Sequence, residues 1–324
     1  MKKAVILFNL GGPDNLENVK PFLFNLFNDK SIIAVPQPMR YLLAKLISSK
    51  RNEKAQGIYQ QIGGRSPIVE LTNEQAVALQ NQLGEGYKVF VCMRYWHPMA
   101  KEVAKQVAEY APDEIILLPL YPQYSTTTTS SSFKDFISYY GQANFKEVCC
   151  YPDDGLFIDA HYDLIKPYYE KHPAARVLFS AHGLPKKVID AGDPYQWQVE
   201  KTANAVAAKL GVKDYVVCYQ SKVGPLEWLT PNTEDEIIRA GKEGKDVILT
   251  PIAFVSEHSE TLVELDIQFK EVATEAGVKN YARVPALGTH PLFIKSLAGL
   301  VQNQKGQNKI CPNEFCKCAF KSQR

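Results

Sequence analysis

Short runs of Val, Ile, Leu, Phe and Tyr, bounded by Gly or Pro, alternate along the chain with longer stretches whose apolar positions recur at helical spacing. That alternation is the pattern of βαβ units building parallel sheets. Six runs read as strands: residues 4–10, 89–95 and 114–120 in the first half, and 176–180, 214–220 and 246–253 in the second. Between them, residues 102–110, 195–210, 234–241 and 262–276 carry helical spacing, with Gly211 and Gly277 placed to end two of these helices.

The two trios resemble each other in the turns that leave their strands. The first strand of each runs into a Gly-Pro turn, Asn9-Leu10-Gly11-Gly12-Pro13 and then Ala181-His182-Gly183-Leu184-Pro185. The third of each passes through a proline into a polar segment, at Pro119 and at Pro251. This weak internal duplication predicts an α/β protein of two similar Rossmann-like lobes with parallel sheets, facing each other across a cleft. Side chains at the C-terminal strand ends would converge there, as in open α/β sheets. The expected division is a first lobe over 1–150, a second over 151–303 and a cysteine-rich tail over 304–324. Residues 36–66 form an excursion from the first lobe that would serve as a lip.

Charge and composition narrow the function. The 324 residues carry 37 Lys+Arg against 35 Asp+Glu, a net charge of +2, so no excess of either sign supports nucleic-acid binding or an acidic tail. The start, Met1-Lys2-Lys3 before a short apolar run, lacks a cleavage site and reads as a strand, not a signal peptide. The longest uncharged stretch, residues 115–133, holds two prolines and a run of hydroxyl residues, so it is no membrane span. Seven cysteines without a secretion signal point to a reducing, cytoplasmic setting, where clustered thiols are ligands more often than disulfides.

No G-x-G-x-x-G and no G-x-x-x-x-G-K-[ST] occurs, so the usual phosphate cradles are absent from the sequence. The chemistry-bearing residues sit elsewhere. His182 follows a second-lobe strand at a tight turn, where an imidazole can ligate a metal or accept a proton near neutral pH. Glu257-His258-Ser259-Glu260-Thr261, continued by Glu264 and Asp266, follows another strand end and lines up oxygen and nitrogen donors on one helix face. A solvated, acid-rich helix start is the plain alternative for that segment. Arg94-Tyr95-Trp96-His97 closes a first-lobe strand and suits the face of a large planar ligand; the neighbouring hydroxyl run, Ser125 to Ser132, reads as structural. Arg51, Tyr59 and Ser66 lie on the excursion and could hold carboxylates by hydrogen bonds. The basic and apolar faces over residues 36–51 could rest on a membrane surface or cover the cleft.

Cys311-Pro312-Asn313-Glu314-Phe315-Cys316-Lys317-Cys318 gathers three thiols, which reads as iron–sulfur or zinc ligation wanting a fourth ligand. Cys92 and Cys218 fall inside predicted strands, so the Cys149-Cys150 pair is the better source, and a 2Fe–2S cluster on Cys311, Cys316, Cys318 and Cys150 is the expectation.

Taken in order, Asn9 to Pro13, Arg94 to His97, Tyr121 to Ser132, Phe179 to Pro185, Gln220 to Trp228 and Pro251 to Asp266 closely resemble the ferrochelatases, the terminal enzymes of haem synthesis. The resemblance runs from about residue 4 to 303. It implies a lyase that inserts ferrous iron into protoporphyrin IX. It also implies that His182 is the metal-inserting histidine and Glu260 the essential carboxylate, with His258 and Glu264 continuing an acidic path for the metal. Arg51, Tyr59 and Ser66 match positions for propionates and the pocket lip, and Arg94, Tyr95, Gln220, Ser221, Lys222 and Trp228 match further pocket positions. Leu10 stands where other members place Met or Tyr against the macrocycle, so it contacts the ring without ligating metal, and Gln268 interrupts the acidic line. The implied partners are porphyrin and Fe(II), with peripheral contact at the inner membrane through the lip, in a monomer or homodimer. Coproporphyrin III as the substrate, a cobalt or nickel tetrapyrrole chelatase, and a non-catalytic haem or metal carrier are the competing readings. The lip at 36–66 favours the iron enzyme over shorter chelatases.

Overall fold

The computed structural model describes residues 1–303 and 310–319; the parts of the expected tail at 304–309 and 320–324 lie outside them. The eight strands are β1 (Lys3–Asn9), β2 (Tyr87–Met93), β3 (Glu114–Pro119), β4 (Phe145–Glu147), β5 (Arg176–His182), β6 (Tyr215–Gln220), β7 (Val247–Pro251) and β8 (Tyr281–Arg283). They form two parallel sheets in the orders β2-β1-β3-β4 and β6-β5-β7-β8. Position for position the order is the same, so the duplication seen in the turns is a duplication of topology. β1, β3 and β7 are apolar nearly throughout because helices cover both faces of each sheet. The edge strands β4 and β8 were not foreseen: each has only three partly exposed residues, Phe145-Lys146-Glu147 and Tyr281-Ala282-Arg283, too short and too charged for a strand pattern to register.

A second departure concerns the expected helix over 262–276. It begins at Glu260 as a π-helix, Glu260–Gln268, in which the Phe269 N–H donates to the Glu264 carbonyl five residues back, and continues as the α-helix Phe269–Glu275. Its buried positions, Thr261, Val263 and Leu265 and then Phe269 and Ala273, are spaced two apart before they are spaced four apart. That irregular spacing is the visible trace of the widened turns, which mark functional sites more often than ordinary helix does.

The two sheets share one apolar core. Val5, Leu7 and Leu118 of the first sheet belong to the same cluster as Val177, Phe179 and Ala181 of the second, joined through Phe157, Val199, Ala203 and Phe293 on intervening helices. Buried Gln75, on the helix Ile68–Leu83, crosses the junction: its amide donates to the carbonyls of Val255 and Gly288 at 2.8 and 2.9 Å, and its oxygen accepts from Ser256. The loop leading from β7 toward the π-helix is therefore held from the first sheet's side.

The excursion is built around the 22-residue helix Met39–Gln60, of which only Ala44, Ser48 and Tyr59 are buried. Met39, Tyr41, Leu42 and Leu46 are exposed apolar side chains on its first three turns. Both ends of the excursion are tied down. Ahead of its start, buried Asp29 accepts from Arg94 at 2.9 Å, Tyr95 at 2.8 Å and Ser131 at 2.6 Å through one oxygen, and from the Ser31 backbone through the other. At its end, the Ser66 N–H donates to the Pro13 carbonyl at 2.8 Å, and the Ser66 side chain lies against the Gly12 backbone. A Cβ on Gly12 would sit 2.5 Å from both Cβ and Oγ of Ser66, so only glycine permits this approach. Gly12→Ala should therefore destabilise the fold by about 1–3 kcal/mol in urea titration, and Ser66→Gly in the same chain should recover most of the loss. Equal midpoints for wild type and Gly12→Ala would show that the contact is not tight.

Candidate active site

In the second sheet β5 is followed by its neighbour on one side, β6, and then by its neighbour on the other, β7, so the strand order reverses at β5. The crevice beyond the carboxyl ends at such a reversal is where open sheets present side chains to ligands. His182 is the last residue of β5, in register with Gln220, the last of β6. β7 ends at Pro251, and its continuation delivers Phe254, His258 and the π-helix to the same place. Tyr195 donates its hydroxyl to the His182 carbonyl at 3.0 Å, and the Trp228 ring lies 6.3 Å from the imidazole, edge to face.

His182 Nδ1 and Glu260 Oε2 are 3.0 Å apart, and each side chain keeps about a third of its surface exposed, 34% and 31%. The same carboxylate oxygen is 3.6 Å from His258 Nε2. His258 is buried against the Phe254 ring and turns Nδ1 to the Ser256 carbonyl at 3.2 Å. Glu264, one turn along the π-helix, accepts from the Ser221 backbone N–H at 2.9 Å, from the Ser221 hydroxyl and from Gln220 Nε2 at 3.1 Å. Gln220 also donates to the Glu260 carbonyl at 3.1 Å, so β6 clamps the π-helix at two points. Ser221 adopts φ +63°, a left-handed conformation costly for a serine, and its strain accompanies these two bonds to Glu264.

The electrostatics follow from the geometry. Burial pushes the His182 imidazole toward neutrality, but the Glu260 charge and hydrogen bond outweigh it and hold the pKa above the usual 6.5. Burial likewise favours a neutral Glu260, and again the two imidazoles win and hold the carboxyl well below its usual 4.5. Glu264 is raised, first by burial and then by the nearby Glu260 charge. His182 and Glu260 are thus an ion pair from below pH 4.5 to above pH 6.5. The imidazolium's contribution to stability is complete below 6.5 and fades as pH rises through the folded value, whereas that of the carboxylate is lost as pH falls through its own. By NMR, His182 should titrate above 6.5, and Glu260→Gln should move it downward; an unmoved titration would mean that Glu260 is not the stabilising charge.

The remaining sequence-derived candidates divide. Tyr59 is brought to the site: buried on the inner side of the excursion's helix, it hydrogen bonds Ser259 beside Glu260, and burial, with the Glu260 charge, pushes its hydroxyl up to about 12. Leu10 packs in the cluster that contains Tyr59, Tyr95 and Trp96. Trp228 donates to the Val223 carbonyl at 3.1 Å and covers Gly183. Arg51 lies over the Phe27 ring, 5.7 Å from its centre. Arg94 and Tyr95, in contrast, face Asp29, and Arg94 also pairs with Asp135 at 3.3 Å, so their polar atoms anchor the excursion. Ser66 is spent on Gly12 and Pro13. The acidic line splits as well: Glu257 and Asp266 turn away to Arg283, leaving Glu260 and Glu264 on the His182 side. Asp29 and Tyr195 were missed by sequence reasoning, since nothing in their neighbourhood marks them; only partners distant in sequence do.

The tail cysteines also divide. Cys149 contacts Cys150 and Cys318, and Cys311 contacts Cys318, while Gln198 Nε2 reaches Cys150 and Cys311. Four thiols and one amide therefore close a buried ring. Cys316 is not part of it: the side chain is exposed, donates to the Ala191 carbonyl at 3.2 Å and presses on Gly192. The expected ligand set is corrected to that extent, because the short spacing from Cys316 to Cys318 turns the two thiols to opposite sides. Mutual contact first and burial next push the Cys149 thiol up, so it is a neutral thiol here; no three described His, Cys, Asp or Glu side chains are arranged about a common metal position. A groove of about 480 Å³ between the helix Thr129–Tyr140 and residues 316–319 adjoins this ring and lies away from His182.

Known proteins resemble the chain over nearly its whole length. Curated ferrochelatases from Rickettsia bellii (strain OSU 85-389) and Wolbachia sp. subsp. Drosophila simulans (strain wRi) are each 54% identical to it, covering 97% and 94% of this chain and 94% and 99% of their own. The ferrochelatase of Pelagibacter ubique is 49% identical over 98% of both chains. Among solved structures, SirB from Bacillus subtilis with Fe3+ superposes with a TM-score of 0.59 at 15% identity, covering 95% of this chain and 98% of that one, a likeness of fold. The ferrochelatase family profile matches residues 2–305, and the chain belongs to the ferrochelatase family.

Proposed function

We propose that the chain inserts ferrous iron into protoporphyrin IX to give haem, and that His182 and Glu260 are the groups that meet the ring centre. The observation that carries the reading is the 3.0 Å pairing of an imidazole from the end of β5 with a carboxylate from the π-helix after β7. Insertion needs a stiff planar ring to be bent, two pyrrole N–H protons to be removed and water to be stripped from the ion. Binding energy along the ring edges supports the bending, and Arg51 on the lip is the cation we assign to propionate recognition. In the ion-paired state the proton is on His182, so the Glu260 carboxylate is the group open to take the first pyrrole proton. Its neighbours His258 and Glu264 supply the relay for the second. Once the proton on His182 has moved along that row, its nitrogen is free to approach the incoming Fe(II). A carrier would need binding groups but no such row of proton acceptors, and this favours the catalytic reading.

His182→Ala should lower insertion by at least about 100-fold while leaving porphyrin affinity within a few-fold, measured by anaerobic metallation and by fluorescence of the free-base ring. Near-normal turnover would remove His182 from the mechanism. The same assay with coproporphyrin III, and with Co(II) or Ni(II), tests the competing substrates.

Two further readings concern the periphery. The exposed apolar side chains Met39, Tyr41, Leu42 and Leu46, with Lys45 and Lys50 on the same helix, support a lip that rests on a membrane surface. Among the described residues no helix is long and apolar enough to cross a membrane. The ring of Cys149, Cys150, Cys311 and Cys318 gathers four buried thiols, the donor type of a 2Fe–2S cluster, with no three of them about one metal position as the chain stands, and we assign the cluster to this ring. When bound, the cluster would bond the tail to the body and supply a one-electron centre. Protein purified anaerobically should be brown, with equal iron and acid-labile sulfide, and Cys318→Ser should lose both. Colourless, zinc-containing protein would overturn the assignment.

A further inference from the structure

A buried phenol holds the end of the strand that carries His182. Against β7 the ladder of β5 closes where the Ile252 N–H donates to the Ser180 carbonyl at 2.9 Å. Alternate carbonyls of a strand face the same neighbour, so the next one on that side is the carbonyl of His182 itself. There the Tyr195 hydroxyl takes the place of a strand N–H, donating at 3.0 Å. Tyr195 is buried at the first position of the helix Tyr195–Leu210, and side chains of a first turn lean back toward the helix N-terminus, which brings the phenol to the strand end. On the β6 side the Gly183 N–H donates to the Gln220 carbonyl at 2.9 Å. The residue bearing the imidazole is therefore held from both sides, by a backbone bond and by one hydroxyl.

The phenol is itself fixed. Asp193, fully buried, accepts from the Tyr195 backbone N–H at 3.1 Å through one oxygen and from Ser125 and Thr126 of the first lobe through the other. The tail meets the same turn, with the Lys317 N–H donating to the Gly192 carbonyl at 3.1 Å. A second buried phenol gives the comparison. The Tyr219 hydroxyl lies in the same apolar core without a hydrogen-bond partner among the described residues, so the core does not require one for every phenol it encloses. What distinguishes Tyr195 is where its bond goes: to the main chain of the residue that meets Glu260 at 3.0 Å. A reacting group displaced by about 1 Å can lose on the order of 100-fold in rate. We propose that Tyr195 is a positioning residue for iron insertion, one that sets the place of the His182 imidazole by pairing the carbonyl at the end of β5. The proposal rests on the role given to His182 above, and the experiment separates the two.

Tyr195→Phe removes the hydroxyl and keeps the ring, and Tyr219→Phe removes the unpartnered hydroxyl as a control. Both would be made in the full chain, with cooperative melting as the check on folding. In anaerobic metallation Tyr195→Phe should lower kcat at least about tenfold and leave KM for the porphyrin within about twofold, while Tyr219→Phe matches wild type. Added to His182→Ala, Tyr195→Phe should cost nothing further, because its effect passes through the imidazole. Unchanged kcat, a loss confined to KM, or an equal loss in Tyr219→Phe would overturn the proposal, as would a comparable further loss in the double variant. The His182 ring signals in NMR, assigned with His182→Ala, read position without turnover: Tyr195→Phe should shift them and Tyr219→Phe should not. Near-normal turnover of His182→Ala would remove the catalytic reading alone. The ring signals then decide, and signals unmoved by Tyr195→Phe overturn the positioning role.

Discussion

The pairing of His182 with Glu260 is the constraint on which the second lobe is organised. An imidazole at the end of a central strand is placed by sheet register, here by its alignment with Gln220 on β6. The carboxylate comes from a different segment, after β7, and must be brought to within hydrogen-bonding distance and kept charged against burial. A lone buried carboxylate would take up a proton. Two imidazoles prevent this, and the clamp from Gln220 and strained Ser221 holds the π-helix at the right advance along its axis. The widened turns of that helix are a local cost accepted where the acidic groups must face one point.

Around this pair the fold is a frame whose parts cannot move independently. The shared core fuses the two sheets, and Gln75 and Asp193 tie first-lobe and second-lobe loops across the junction. Buried Asp193 accepts from the Thr126 N–H and hydroxyl at 2.7 Å and from Ser125 at 3.1 Å, which explains part of the hydroxyl run as a latch. The excursion hangs from Asp29 at one end and Ser66 at the other and lays Tyr59 over the site. A long, mostly polar helix is held over the His182–Glu260 pair by a few buried polar contacts, while its first turns leave Met39, Tyr41, Leu42 and Leu46 exposed.

How much of this could be read from the chain depended on the range over which each feature is encoded. The six longer strands are apolar runs bounded by breakers, and they lie close to where the pattern puts them. Glycine–proline turns and the segments around His182 and Glu260 were equally legible, because strand, turn and chemistry are contiguous. β4 and β8 were not, being three residues long and stabilised only by a neighbour. Asp29 looks like any loop acid until Arg94, Tyr95 and Ser131 are folded onto it, and Arg94 and Tyr95 look like ligand-facing residues for the same reason. Among the cysteines, crowding was readable but direction was not: Cys316 and Cys318 are two apart and face different surroundings.

If the His182–Glu260 pair is the reactive centre, the middle of a bound ring must lie over it. A crystal structure of the protein with an N-alkylated porphyrin, already bent and unable to complete metallation, tests this directly. The ring should sit with its pyrrole nitrogens opposite His182, Glu260 on the same face, and Tyr59 at the edge under the Met39–Gln60 helix. A macrocycle bound elsewhere, or one that leaves the imidazole and the carboxylate on opposite faces, would contradict it.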